Sequence, residues 1–141
     1  MERFVEAQSA GMYERALKEV KSGEKCSHWM WYIFPQLKGL GYSHSSRKYA
    51  INSFDEAREF MSNLILKRRL LKITRAVYRL NVDNIESVFG YVDTLKLRSC
   101  MTLFSLACPE YKIFQKVLNK HFNGEVCEYT LKQFTEEYKF I

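Results

Sequence analysis

Leu66, Leu70, Ile73, Val77 and Leu80 recur at intervals of four, three, four and three residues, and this spacing constrains the chain more than any other feature. A helix gathers such positions into one stripe, whereas a strand would scatter them over both faces of a sheet. Leu97, Met101, Phe104 and Ala107 or Cys108 repeat the pattern, as do Phe114, Val117, Leu118 and Phe122. Phe4, Val5, Met12, Tyr13, Ala16, Leu17 and Val20 form an amino-terminal version of it. No strand-like alternation runs longer than four residues, and no internal repeat is present. With 2 Pro and 6 Gly in 141 residues, the chain has little material for a turn-rich β fold. The expected fold is all-α: residues 1–141 as a single-domain compact array of about six to seven helices.

Local signals place the helix ends. Gly11 interrupts the first helix and Gly23 closes it. Ser53-Phe-Asp-Glu56 reads as a capping box, the Ser53 hydroxyl accepting from the Glu56 N–H and the carboxylate reaching back to the N–H of Ser53. A long helix is predicted from about Leu64 to Leu80, and a short turn over Ile85 to Phe89 ending at Gly90. Asp93 is predicted to cap the next helix, and Pro109 to open the following one as its first residue. That helix should stop at Asn123-Gly124, before a last short helix from about Tyr129 to Phe134.

The net charge is +6 and the pI is near 9.1. Such a balance suits a phosphate-bearing ligand or nucleic acid, and equally a merely soluble surface. Lys67, Arg68, Arg69, Lys72, Arg75 and Arg79 hold the densest basic cluster, which reads as a solvated face without one clean stripe. Cys26, Cys100, Cys108 and Cys127 show no Cys-x-x-Cys and no ligand-spaced His, so neither metal nor cofactor is expected. With no leader-like or membrane-spanning run, the expectation is a cytoplasmic protein with reduced thiols and no membrane partner.

The candidate chemistry begins with Ser27-His-Trp-Met-Trp-Tyr-Ile-Phe-Pro-Gln36, which carries both tryptophans. Trp29 and Trp31 would share a face on an extended segment and diverge by ~200° on a helix. One reads as core and the other is left open as a wall on which a nucleobase could stack. His28 could act as a base or contact a phosphate, although it reads first as structural. Gly39 and Gly41 introduce a loop in which Ser43, Ser46, Arg47 and Tyr49 could hold phosphate or ribose; the bland alternative is an ordinary N-cap. Glu56 and Asp93 are the candidate catalytic carboxylates, each also explained as a helix cap. Lys96 and Ser99 share a polar face opposite Leu97, Met101 and Phe104, with Arg98 on a third side. That face is expected to turn toward His28, with the tryptophan segment packed beside the Asp93 helix. No Gly-rich phosphate loop, His-Glu-x-x-His or Gly-x-Ser-x-Gly is present.

The tryptophan motif, Gly39-Leu-Gly41, Ser43, Ser46, Tyr49-Ala-Ile51, Glu56-Ala57, Phe89-Gly90, Asp93, Lys96-Leu97 and Ser99-Cys-Met-Thr-Leu-Phe104 together resemble a bacterial family. This is the family known as domain of unknown function 1810, sometimes mislabelled calpastatin. The resemblance runs from Phe4 to about Phe134 and implies an all-helical single domain, with nothing about activity. The chain departs from the family pattern at Cys26, where a basic residue is usual, and at Cys100, where serine is usual. A fainter, fold-level analogy connects it to small helical proteins that act on NAD-derived and ADP-ribose-containing molecules. The expected function is binding of an anionic, nucleotide-derived ligand in an aromatic pocket, with sequestration or N-glycosidic hydrolysis as its purpose. Gln36 joins His28, Trp29, Trp31, Ser43, Ser46, Arg47, Tyr49, Lys96 and Ser99 as expected ligand contacts. The rival expectation is a helical interaction module that meets an acidic protein or, less favoured, nucleic acid, with the tryptophans purely structural.

Overall fold

A computed structural model describes residues 1–139, which form ten helices. They are α1 (Glu2–Ala7), α2 (Met12–Ser22), α3 (Met30–Ile33), α4 (His44–Lys48), α5 (Phe54–Ser62), α6 (Leu64–Arg79), α7 (Glu86–Phe89), α8 (Tyr91–Ala107), α9 (Ile113–Phe122) and α10 (Glu128–Tyr138). Six have nine or more residues and form the expected array; α1, α3, α4 and α7 are short pieces that steer the chain between them. A single parallel bridge between Leu37 and Ile51 is the nearest approach to a sheet among the described residues. No helix there is long and apolar enough to cross a membrane.

The predicted stripe of α6 is buried at Leu66, Leu70, Ile73 and Val77, where it meets α2, α5 and α9. Asn63 caps this helix, its side chain accepting from the Leu66 N–H at 3.1 Å. Gly11 and Gly23 bracket α2 at φ +83° and +80°, left-handed values that an L side chain resists. The helix α8 packs against α5, α7, α9 and α10; its first turn is exposed at Tyr91 and Val92, and from Leu97 onward it is buried on nearly every side, including Ser99, Cys100 and Thr102. Two of its hydroxyls are satisfied within the helix, Ser99 Oγ donating to the Leu95 carbonyl and Thr102 Oγ1 to the Arg98 carbonyl, whereas Thr94 Oγ1 is buried without a partner.

Four local expectations need correction. Asp93 is not the N-cap of α8, which starts at Tyr91 behind Gly90; that glycine, at φ +80° and ψ 166°, makes the turn without a side-chain cap. Pro109 does not open α9. It occupies the second position of a turn in which the Tyr111 N–H donates to the Cys108 carbonyl at 3.1 Å, and α9 begins at Ile113. The carboxylate arm of the capping box misses Ser53, for Glu56 Oε1 accepts from the Asn52 N–H at 3.1 Å. The last helix extends to Tyr138, because Phe134 and Tyr138 both pack on Phe54.

Candidate functional site

The tryptophan segment is organised by a residue that the motif does not contain. Glu19, near the end of α2, accepts from the N–H groups of Cys26 and Ser27 at 2.7 and 2.9 Å and from Trp29 Nε1 at 2.9 Å. Its second oxygen accepts from Ser27 Oγ at 2.7 Å. Burial alone would raise the Glu19 pKa; the four hydrogen bonds outweigh it and hold the group at about 2. Trp29 is thereby fixed in the core, fully buried against Phe34 and Phe89. Pro35 then drives Phe34 to ψ 73°, which ends α3 after a single turn.

Trp31 leaves α3 on the other side and remains half-buried. The Lys96 ammonium lies 3.7 Å from its ring centroid, a close cation–π contact. Asp93, one turn earlier on α8, lies 3.3 Å from Lys96 and 2.8 Å from Lys25. The Lys25 side chain is only 7% exposed, donates to the Ser27 carbonyl at 2.6 Å and covers the ring of Trp29 at 4.8 Å. One carboxylate thus sits between two ammonium groups, each resting on a tryptophan. The tryptophan segment and α8 do meet, but through Lys25, Lys96 and Trp31; His28 is exposed and its imidazole makes no hydrogen bond among the described residues.

Beside this cluster lies a hollow of about 270 Å³ between the 36–40 strip and α8, lined by Gln36, Leu40, Val92, Leu95, Lys96, Arg98, Ser99 and Cys127. Its walls are pinned. The Ile51 N–H donates to the Gln36 carbonyl at 3.0 Å, and the Lys38 N–H to the Ile51 carbonyl at 2.9 Å. Tyr129 Oη donates to the Lys38 carbonyl at 3.0 Å, and the Cys127 N–H to Thr102 Oγ1 at 3.0 Å. Arg98 therefore lies with Lys96 and Ser99 around one cavity and not on a third side. Its Nε is buried without a hydrogen-bond partner, and its nearest carboxylate, Glu125, is 3.9 Å away.

The other predicted residues sit apart from the hollow. Ser43 Oγ accepts from the Ser46 N–H at 3.1 Å and Ser46 Oγ donates to the Ser43 carbonyl at 2.8 Å, so this pair closes the cap of α4. Buried Ser46 also fills the space beside Gly41, where an added Cβ would lie 2.7 Å from that of Ser46. Arg47 is exposed, and Tyr49 packs on Phe4 and Tyr32. Glu56 is bound to Arg3 at 2.8 Å. Burial raises its pKa, but Arg3 and Asn52 outweigh that and lower it, which leaves no poised acid. Among the described residues no group of His, Cys, Asp and Glu side chains could hold a metal. Lys25, Arg98 and Glu19 were missed by sequence reasoning, since each lies outside the long motif or on a helix face judged unrelated to it.

An all-helical domain with a cationic hollow beside a tryptophan motif is the class that fold and site define. The chain belongs to the family described as protein of unknown function (DUF1810), whose model matches residues 1–134. It is similar to the conserved hypothetical protein Rv1873 from Mycobacterium tuberculosis, known from a crystal structure, with 38% identity over 94% of each chain and a TM-score of 0.90. No curated protein matches it.

Proposed function

We propose that this protein binds a small, phosphate-bearing, nucleotide-derived anion in the hollow between residues 36–40 and α8. The observation that carries the reading is Arg98. A guanidinium with a buried, unpartnered Nε is costly unless an acceptor arrives, and Arg98 and Lys96 line the same cavity. Phosphate oxygens would meet these two groups and the Gln36 amide, while Leu40, Val92 and Leu95 offer an apolar wall for a base or ribose. Trp31 supports the site from behind Lys96 and Trp29 serves only the core. The reading is one of binding, not N-glycosidic hydrolysis, because Glu56 is engaged by Arg3 and Asp93 by two lysines. Exposed Tyr91, Val92 and Leu95 on the rim favour the rival reading of a protein-interaction module.

A thermal-shift panel of mononucleotides, dinucleotides and ADP-ribose derivatives, with inorganic phosphate alongside, tests the proposal. A ligand at ~100 times its Kd adds roughly 2.7 kcal/mol, and Lys96→Ala or Arg98→Ala should abolish that gain. If no member of the panel stabilises the protein, or if both variants retain the full shift, the small-anion reading fails and the interaction module takes its place.

A further inference from the structure

We propose that the outer face of α6, with the facing edge of α2, is a sequence-independent contact surface for a nucleic-acid backbone. The six basic residues of 67–79 separate once the helix is packed. Arg69 turns inward, its guanidinium donating to Gln8 at 3.3 Å and lying 5.4 Å from the ring of Tyr13, and Lys67 is half-buried. The four that remain exposed, Arg68, Lys72, Arg75 and Arg79, stand at i, i+4, i+7 and i+11. That is a single line along the helix, where sequence spacing alone suggested a scatter.

The line is unneutralised. No Asp or Glu occurs anywhere in α6, and among the described residues none of the four cations meets a carboxylate within ion-pair distance. Like charges one turn apart repel, so the arrangement opposes helix stability until an anion covers it. A second wall faces it. Lys21 of α2 stands across a groove of about 200 Å³ from Lys72 and Arg79, with Ala76 and Leu80 forming the rest of its lining. Of the carboxylates nearest Lys21 in sequence, Glu19 is engaged by Ser27 and Trp29, Glu24 lies just beyond the end of α2, and Glu14 is two turns away.

The geometry selects the partner. Eleven residues at 1.5 Å rise span ~16 Å, the length occupied by about five phosphates of one strand at ~3.4 Å each. Four cations on the ridge and Lys21 across the groove give five. A lipid surface would draw on cations spread over an area, whereas this row is one side chain wide. The surface shares no residue with the hollow at α8, and α6 and α8 are both packed against α5 and α9.

The test is fluorescence anisotropy with labelled 20-nucleotide single-stranded and duplex DNA of mixed sequence, titrated at several salt concentrations. Five phosphate contacts predict a log–log salt slope of about −3.5 on single strands and about −4.5 on duplex. Affinity for single strands should then fall roughly 100-fold between 50 and 200 mM salt. The variant Arg68→Gln/Lys72→Gln/Arg75→Gln/Arg79→Gln should lose at least tenfold at 50 mM, with a melting temperature no lower than that of the parent because the repulsion along the row is relieved. The charge-matched variant Lys38→Gln/Lys48→Gln/Lys112→Gln/Lys132→Gln should bind within about threefold of the parent, as should Lys96→Ala, which reports on the hollow alone. Absent binding at 50 mM, equal loss in both quadruple variants, or binding confined to vesicles of anionic lipid would each overturn the proposal.

Discussion

Replacing Glu19 by alanine should be among the most destabilising single changes on the surface of this protein. The carboxylate accepts four hydrogen bonds from Cys26, Ser27 and Trp29, all within 2.7–2.9 Å. Three of the donors lie near solvent and can turn to water in the variant. Trp29 Nε1 cannot, because its ring is fully buried between Phe34 and Phe89. An orphaned buried donor costs about 1–3 kcal/mol, and losing charge-assisted bonds at the rim adds about 1 more. The sum is ~3 kcal/mol, or roughly 10 °C in melting temperature for a domain of this size. Urea unfolding followed by tryptophan fluorescence and circular dichroism measures it directly.

A cycle with Trp29→Phe, which removes the ring N–H, isolates the shared part, about 1 kcal/mol or more of coupling. The pH dependence carries a sign. Glu19 has its folded pKa lowered from 4.5 to about 2, so its contribution is complete above 4.5 and is lost as pH falls through about 2. The stability gap between parent and variant should therefore narrow on acidification. A Glu19→Ala protein within about 0.5 kcal/mol of the parent at pH 7, or a gap that stays constant down to pH 3, would refute the assignment.

Asp93→Asn should lower stability by about 2 kcal/mol, since it strands a nearly buried Lys25 together with Lys96; calorimetry showing no change would mean that the cluster is ornamental to the fold. Gly39→Ala should cost about 2–3 kcal/mol, because the position has φ +97° and its new Cβ would stand 2.1 Å from Tyr129 Oη, and a neutral result in chemical denaturation would contradict that approach. Thiol labelling should modify Cys26 alone in the native state and all four cysteines in denaturant. Cys100, Cys108 and Cys127 are buried, and burial raises the pKa values of Cys100 and Cys108, the latter to about 11. Rapid native labelling at three or more positions would count against the core as described.

The helical architecture was legible because its signals are local. The 3/4 spacing of α6, the glycines at 11 and 23, the Ser53 cap and the Asn123-Gly124 stop each act within one or two turns, so they survive without knowledge of neighbours. The opposed roles of Trp29 and Trp31 were legible in part: the two-residue separation says that a helix would divide them, but not which one goes inside. That choice belonged to Glu19, seven to ten residues from its targets, and to Phe89 from another helix. The candidate site was the least legible part. Its members come from 25–40, 91–99 and Cys127, and only packing brings those stretches together. Asp93 and Ser99 have the same local pattern whether they face water or a second element, because periodicity reports the orientation of a side chain about its own helix axis and says nothing of what stands opposite. Arg69 and Arg68 show the same limit, one drawn inward to Gln8 and Tyr13 and its neighbour left on an open cationic ridge. Charge and periodicity along the chain determined that this would be a basic helical domain. Which of its cations are neutralised and which stay open to a partner was decided by tertiary contacts, since an ion pair between residues 25 and 93 is a property of distance in space.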